Sequence, residues 1–177
     1  MSGGAVLGRA ALLARLAADP PLLRDLADLH TQVQPHGVDL RLDSVWRLRS
    51  AGALRRDRPG TPARALPERE PLAFDADGAL HLAPGAYLVR FVETVHLPDD
   101  VMALARPRSS LLRCGAALHT AVWDAGYVGR SEALLSVGNP HGLDVEREAR
   151  ICQMVFFLLD APVAGYAGAY QGENLTK

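Results

Sequence analysis

The hydrophobic pattern of the first thirty residues differs from that of the rest of the chain. Before Pro20-Pro21, apolar residues recur at roughly helical spacing, which predicts a helix that Ser2 can cap. Its apolar positions are Val6, Leu7, Ala10, Ala11, Leu13 and Leu16. A second short helix is predicted from Pro21, with an apolar stripe of Leu22, Leu23, Leu26 and Leu29. We interpret residues 1–30 as a structural helical segment.

From Gly37 onward, short apolar runs alternate with turn residues. The runs that predict strands include residues 38–42, 87–95, 116–123, 132–137 and 151–159. Many short strands are typical of a barrel or a sandwich. The pattern therefore predicts a mainly β protein, with residues 1–177 forming a single domain.

Two stretches lack this pattern. Residues 49–71 are rich in Arg, Pro and Gly and have almost no periodicity, which predicts a long surface loop. Residues 160–177 contain glycines and tyrosines but little to bury, so we expect a flexible tail that needs something to order against.

Composition narrows the range of partners. The 177 residues are 49% apolar, which suits one soluble globular domain, and the net charge of −1 gives no reason to expect a nucleic acid or a membrane. Arg9 and Arg15 interrupt the N-terminal apolar run, which argues against a membrane span or a signal peptide. Because Cys114 and Cys152 have no CxxC spacing, we expect reduced thiols in a cytoplasmic protein.

Residues 106–113 form the most informative segment. Arg108, Ser109 and Ser110 begin a predicted helical turn, which brings a guanidinium, two hydroxyls and backbone N–H groups around one point. Such a point suits a phosphate group. On local chemistry alone, a serine-capped turn with a surface arginine is the more frequent arrangement.

A second candidate is the segment of residues 121–129, where an apolar strand leads into Asp124, a glycine turn and Tyr127. A hairpin of this kind can offer main-chain groups to a flat base while the aromatic ring packs on a sugar. Asp124 is a candidate general base for a water molecule. Taken alone, it is more simply an Asp that begins a turn.

Two polar residues lie within apolar strands. Asp39 points away from its apolar neighbours and is therefore either solvent-facing or functional. Gln153 must find a hydrogen-bond partner, for which the backbone is the simpler choice. The six histidines show no metal-ligand spacing, and the chain has neither a serine-hydrolase elbow nor a P-loop.

Taken in order, these segments resemble the motifs of the trimeric dUTPase and dCTP deaminase superfamily over residues 31–177. Residues 34–40 resemble the first motif, whose acid lies near the Mg²⁺-bound triphosphate through water, and this implies an outer-shell role for Asp39. Residues 108–111 resemble the phosphate-binding second motif. Arg113 falls where deaminase-like members carry another functional arginine.

The later motifs complete the resemblance. Residues 120–129 resemble a hairpin that reads uracil through its main chain, which implies substrate binding at Val122 and Tyr127 and water activation by Asp124. Residues 150–153 resemble the fourth motif, whose glutamine helps to hold phosphate. The tail is closer to the deaminase-like branch than to typical dUTPases, and it implies substrate contacts for Tyr170 and Gln171.

The resemblance implies a distorted, jelly-roll-like β-roll with short N-terminal helices, active sites shared between the subunits of a homotrimer, and Mg²⁺ as cofactor. The implied reaction is hydrolysis of dUTP to dUMP and pyrophosphate.

Deaminases of the superfamily use a glutamate about ten residues beyond the aspartate. Here that count reaches Leu134, with Glu132 two residues earlier. We therefore expect no deamination of dCTP, although a bulge that moved Glu132 into place would permit a dCTP deaminase or a bifunctional enzyme that deaminates and then hydrolyses. A non-catalytic nucleotide sensor is a further alternative.

Overall fold

The computed structural model describes residues 5–175, which form mainly β-strands. The helices described are α1 (Arg9–Leu16), α2 (Leu29–Gln32) and α3 (Ser109–Arg113). The strands are β1 (Ala5–Val6), β2 (Leu23–Arg24), β3 (Val33–Gln34), β4 (Gly37–Leu48), β5 (Ala53–Leu54), β6 (Arg64–Ala65), β7 (Arg69–Leu72), β8 (Ala79–Leu82), β9 (Gly85–Phe91), β10 (Thr94–His96), β11 (Val101–Pro107), β12 (Ala116–His119), β13 (Val128–Gly129), β14 (Glu132–Val137), β15 (Leu143–Glu146) and β16 (Arg150–Leu158).

Strand β4 organises the main sheet, whose order is β1-β16-β4-β9-β14-β12. The first half of β4 pairs with β3 and β16, and its second half pairs with β7 and β9. The pairing register shifts between Leu42 and Ser44 and between Arg150 and Cys152, and such irregularities bend strands. The mainly β prediction is confirmed, in the form of a curled sheet.

The core follows the strand periodicity. Every second residue of β9 and β14 is buried, so Glu132, at the start of β14, points away from the core side. The first half of β4 is instead covered on both faces, so Val38, Asp39 and Leu40 are all buried. Leu12 is completely buried and is the residue through which α1 packs on the sheet.

The N-terminal prediction was only partly right. Helix α1 begins after Gly8, whereas Ser2 lies outside the described residues. The predicted second helix is absent from its expected place, because Leu22 and Leu23 are both buried and β2 pairs with β10. Helix α2 begins only after Asp28, whose side chain caps it. Strand pairing in the folded chain thus overrides the local helical spacing.

Other boundaries also moved. Strand β14 coincides with its prediction, but the strand predicted over residues 87–95 is interrupted after Phe91, and the one over residues 116–123 ends at His119. Residues 49–71 are largely exposed but are not a structureless loop, since β5 pairs with β6 and β7 joins β4. Within residues 5–175, every helix is too short or too polar to cross a membrane.

Candidate functional site

A cavity of about 850 Å³ opens beside the hairpin that carries Asp124 and Tyr127. This volume lies in the usual range for small-molecule sites. The apolar lining consists of Leu48, Leu66, Pro67, Leu88, Ala121, Val122 and Trp123. The polar and aromatic lining consists of Arg69, Asp124, Tyr127, Ser131, Glu132, Tyr166, Tyr170, Glu173 and Asn174. Segments far apart in the chain therefore build a mostly apolar pocket with a few charged groups.

Two buried aromatic residues hold the hairpin in place. The main chain of Trp123 pairs with Ala103, and its indole Nε1 donates to Ser131 Oγ at 2.5 Å. The hydroxyl of Tyr127 donates to Glu173 Oε1 at 2.7 Å. Burial raises the pKa of Tyr127, so its hydroxyl remains a donor. Asp124 is exposed and lines the same cavity, where its carboxylate has access to water.

Residues 165–174 fold back onto this hairpin. Gly126 has φ +80°, and a Cβ there would lie 2.5 Å from Gly165 Cα, so a side chain at residue 126 would push the tail away. The Gln171 side chain accepts from Val128 N at 2.9 Å and donates to Gly126 O at 2.9 Å. The ring of Tyr166 meets Tyr127 edge-on at 5.9 Å. The tail therefore packs against the hairpin of its own chain. Its hydrogen bonds occupy the main-chain groups Gly126 O and Val128 N.

A second group of polar residues, the Asp39 cluster, consists of Asp39, Arg108, Arg150 and Gln153. Asp39 is 2% exposed, and its Oδ2 lies 3.2 Å from Arg108 Nε and 3.4 Å from Arg150 Nη1. Burial raises the pKa of Asp39, while the two guanidinium groups act in the opposite direction. Gln153 lies opposite Asp39 on β16. A solvent-facing role for Asp39 is thereby excluded.

The Asp39 cluster lies beside α3, where Ser109, Ser110 and Arg113 are exposed. None of these residues lines the cavity. Ala103 pairs with Trp123 at the cavity, and Arg108 lies five residues further along the chain. Five residues of extended strand correspond to roughly 17 Å. One chain therefore presents the cavity and the Asp39 cluster as two separate surfaces.

A family model described as dCTP deaminase-like matches residues 6–159. The chain belongs to this family. A probable deoxyuridine 5'-triphosphate nucleotidohydrolase of Methanococcoides burtonii is 46% identical over 159 residues, which cover 89% of this chain and 92% of the relative. The protein of the same name from Archaeoglobus fulgidus is 49% identical over 154 residues, which cover 87% and 89%.

A solved structure extends the comparison. The 2'-deoxycytidine 5'-triphosphate deaminase of Agrobacterium tumefaciens is 28% identical, with a TM-score of 0.65 over 88% of this chain and 48% of the deaminase chain. The present chain thus spans about half the length of that deaminase. The resemblance seen in the motifs and the expected fold are both confirmed.

Within this dCTP deaminase-like chain, the predicted site residues fall into three groups. Those at the cavity are Val122, Asp124, Tyr127 and Tyr170. Those at the Asp39 cluster and α3 are Asp39, Arg108, Ser109, Ser110, Arg113 and Gln153. Gln171 binds the hairpin main chain. Their chemical roles stay predictions.

Several cavity residues were missed from the sequence. Arg69 lies in an aperiodic stretch with many arginines, and Glu173 and Asn174 lie in the tail, so no pattern singled them out. Counting ten residues from Asp124 also pointed to Leu134, whereas Glu132 lines the cavity. The chain passes from β13 to β14 at residues 130–131, just before Glu132. The cavity therefore contains a carboxylate that the count had missed.

Proposed function

We propose that this chain hydrolyses dUTP to dUMP and pyrophosphate in sites shared between the subunits of a homotrimer. The observation that carries the proposal is the division of one chain into a cavity with Asp124 and a separate arginine-serine surface suited to phosphate. A neighbouring copy can bring the second surface to the first. The names of the relatives from Methanococcoides burtonii and Archaeoglobus fulgidus support dUTP as the substrate.

Exposed apolar side chains beside the cavity support the assembly. The bridge between Ala103 and Trp123 is antiparallel, so Leu104 and Val122 lie opposite each other, with 38% and 52% of their surface exposed. Paired apolar side chains at a surface favour contact with another protein surface. A second copy of the chain would cover them.

In the proposed reaction, the deoxynucleoside occupies the cavity and packs on Tyr127, leaving no room for a 2′-hydroxyl. Arg108, Ser109 and Ser110 of a neighbour, together with Gln153, hold the phosphate oxygens and fix the α-phosphorus for in-line attack. Asp124 orients a water molecule and takes its proton as the water attacks. Pyrophosphate leaves with its charge neutralised by the arginine, and no covalent intermediate forms.

Mg²⁺ is part of the proposal as an ion held mainly by the triphosphate. Among residues 5–175, no three His, Cys, Asp or Glu side chains form a metal-binding group, and Asp39 is buried beneath two arginines. This donor set fits an ion held by phosphate oxygens and water, which Asp39 would meet only through water. Bound in this way, Mg²⁺ would neutralise negative charge on the triphosphate.

Two alternatives remain. The first is a bifunctional enzyme, which is favoured by the position of Glu132 in the cavity and by the similarity to a dCTP deaminase. Against it, Arg69 donates hydrogen bonds to both Glu132 oxygens, which opposes proton shuttling by that carboxylate. The other alternative is a nucleotide sensor that binds dUTP without hydrolysing it.

We further propose a cytoplasmic enzyme with neither nucleic acid nor membrane as partner, in line with its net charge of −1.

The test is release of pyrophosphate and ammonia from each deoxynucleoside triphosphate, first with Mg²⁺ and then with a chelator. We expect pyrophosphate from dUTP, its loss with the chelator, and no ammonia from dCTP. Ammonia from dCTP that disappears in Glu132→Gln would establish the bifunctional enzyme. Binding of dUTP without release of pyrophosphate would establish the sensor.

A further inference from the structure

Residues 53–65 form a two-stranded hairpin, which we call the arginine arm. Strand β5 pairs with β6, and a bridge between Arg58 and Thr61 lies near the tip. The arm contains four arginines and one aspartate, so its net charge is +3, whereas that of the whole chain is −1. The four are Arg55, Arg56, Arg58 and Arg64. The arm is therefore strongly basic within a chain that is slightly acidic.

Neighbouring carboxylates do not neutralise the arm. All four of its arginines are exposed. Just before the arm, Arg47 Nη1 and Arg49 Nε lie 3.9 and 3.3 Å from Glu70 Oε2. Within the described residues 5–175, every ion pair formed by an arginine involves an arginine outside the arm. The guanidinium groups of the arm therefore contribute to the electrostatic field outside the protein.

The arm begins at the rim of the cavity. Its last residues lead directly into Leu66 and Pro67, which line the cavity. The Arg64 guanidinium lies 5.4 Å from the centre of the Tyr170 ring, and Tyr170 also lines the cavity. Arg58, near the tip, is six residues from Arg64, or at most roughly 20 Å of extended chain. The positive charges of the arm are therefore close enough to act on an anion that approaches the cavity.

The charges of the cavity itself do not favour an anion. Its charged lining consists of three carboxyl groups, on Asp124, Glu132 and Glu173, and one guanidinium, on Arg69. A nucleoside triphosphate therefore approaches a site that repels it. We infer that the arginine arm attracts the triphosphate and guides the nucleotide to the cavity, an inference that rests on the proposed hydrolysis of dUTP. Attraction of this kind raises the rate of association.

The test measures the association rate constant of a non-hydrolysable dUTP analogue, followed through the fluorescence of Trp123 in the cavity. In Arg56→Gln/Arg58→Gln, we expect this constant to fall by at least about threefold at an ionic strength of about 10 mM, where charges act over roughly 30 Å. At about 1 M, where they act over roughly 3 Å, the variant should match wild type. The dissociation rate constant and kcat for dUTP should be unchanged, and Arg56→Glu/Arg58→Glu should deepen the loss at low salt.

Two controls separate the arm from net charge. Arg24→Gln/Arg147→Gln removes the same charge from exposed arginines that do not line the cavity, and it should change the association rate constant far less. Deoxyuridine carries no phosphate, so its association should not respond to substitutions in the arm.

Equal losses in the arm variant and the Arg24/Arg147 control would overturn the inference, because net charge alone would then account for them. A loss confined to the dissociation rate constant would overturn it as well, since the arginines would then be direct contacts. Normal association of the analogue together with lost binding of single-stranded DNA would assign the arm to nucleic acid instead. Absence of pyrophosphate release from dUTP by the wild-type protein, with the effect of the arm on association intact, would contradict only the proposed function.

Discussion

Charged residues in this protein occupy two contrasting environments. Asp124 is exposed at the cavity, where a carboxylate can meet water and substrate. Glu93 is completely buried, and Arg41 is 7% exposed. An exposed carboxylate in a cavity suits catalysis, whereas a buried pair bears on folding stability, so substitutions at the two sites have separable consequences.

Replacing Asp124 by Asn removes the proposed base without emptying the cavity. We expect kcat for dUTP to fall by at least about 10²-fold while KM stays within a few-fold. Pyrophosphate release at saturating dUTP measures the effect. Asp144→Asn is the control, since its side chain is 86% exposed on β15. Turnover near wild type in Asp124→Asn would show that another group activates the water.

Replacing Glu93 by Ala removes the buried ionic partner of Arg41 and leaves only Glu148, whose side chain is 59% exposed. Arg41 Nε donates to Glu93 Oε1 at 2.7 Å, Arg41 N donates to Oε2 at 2.9 Å, and Gln32 Nε2 donates to Oε1 at 2.8 Å. We expect a loss of about 3–5 kcal/mol in the free energy of unfolding, measured with urea. Glu70→Ala, which removes only exposed contacts to Arg47 and Arg49, should cost less than about 1 kcal/mol.

At the scale of elements, the hairpin and the tail form one structural unit. The amide N of Tyr166 donates to Ala125 O at 2.8 Å, and that of Gly172 donates to Val128 O at 2.8 Å. The segment of residues 49–71 also contacts the tail, because the Arg64 guanidinium lies 5.4 Å from the centre of the Tyr170 ring. The tail is therefore placed to cover the cavity.

Removal of residues 165–177 should leave the protein folded, in the proposed trimer, with greatly reduced activity. The truncation deletes the Tyr166 and Glu173 contacts to Tyr127 but leaves the main sheet intact. Light scattering reports the assembly, and pyrophosphate release reports the activity. Normal hydrolysis of dUTP, or dissociation into monomers, would contradict a tail that acts as a lid.

Tail docking should weaken as pH rises. Burial raises the pKa of Glu173 above 4.5, and the charge of Glu132 acts in the same direction, against the hydrogen bond from Tyr127. The docked Glu173 carboxyl holds its proton more tightly than the undocked one. Its contribution to the stability of the docked tail is therefore full below pH 4.5 and is lost as pH rises through the raised pKa. Hydrogen exchange at the Tyr166 and Gly172 amides measures docking. Glu173→Gln, compared at each pH, should lack this dependence.

At the scale of the whole molecule, the proposed site requires more than one chain. Asp124 and Arg108 belong to separate surfaces of the same chain, so a shared site takes each residue from a different subunit. Two variants that are inactive alone can then complement each other.

Mixed trimers test this arrangement directly. Asp124→Asn and Arg108→Ala, each inactive alone, are unfolded together in equal amounts and refolded. About a quarter of the sites should then receive both intact residues, and about a quarter of wild-type activity should return. Variants refolded separately and then combined without exchange are the control. No recovery in the mixed trimers would show that each site lies within one subunit.

The sequence by itself determined the mainly β class and most of the residues proposed for the site. Strand β14 was predicted as a short apolar run between turn residues, and the structure has the strand at the same bounds. Asp124, Tyr127 and Arg108 stand out because each belongs to a short local segment with its own chemistry. Local periodicity and local motifs are properties that a linear sequence carries in full.

Only the tertiary structure decided which segments meet. Leu22 and Leu23 fit a helical stripe, yet both are buried and Leu23 belongs to β2, which pairs with β10, because burial against the sheet outweighs local propensity. Arg69 and Glu132 are 63 residues apart along the chain and carry no shared pattern. Strands β4 and β9 lie between β7 and β14 in the sheet, so the contact depends on the order and register of these four strands.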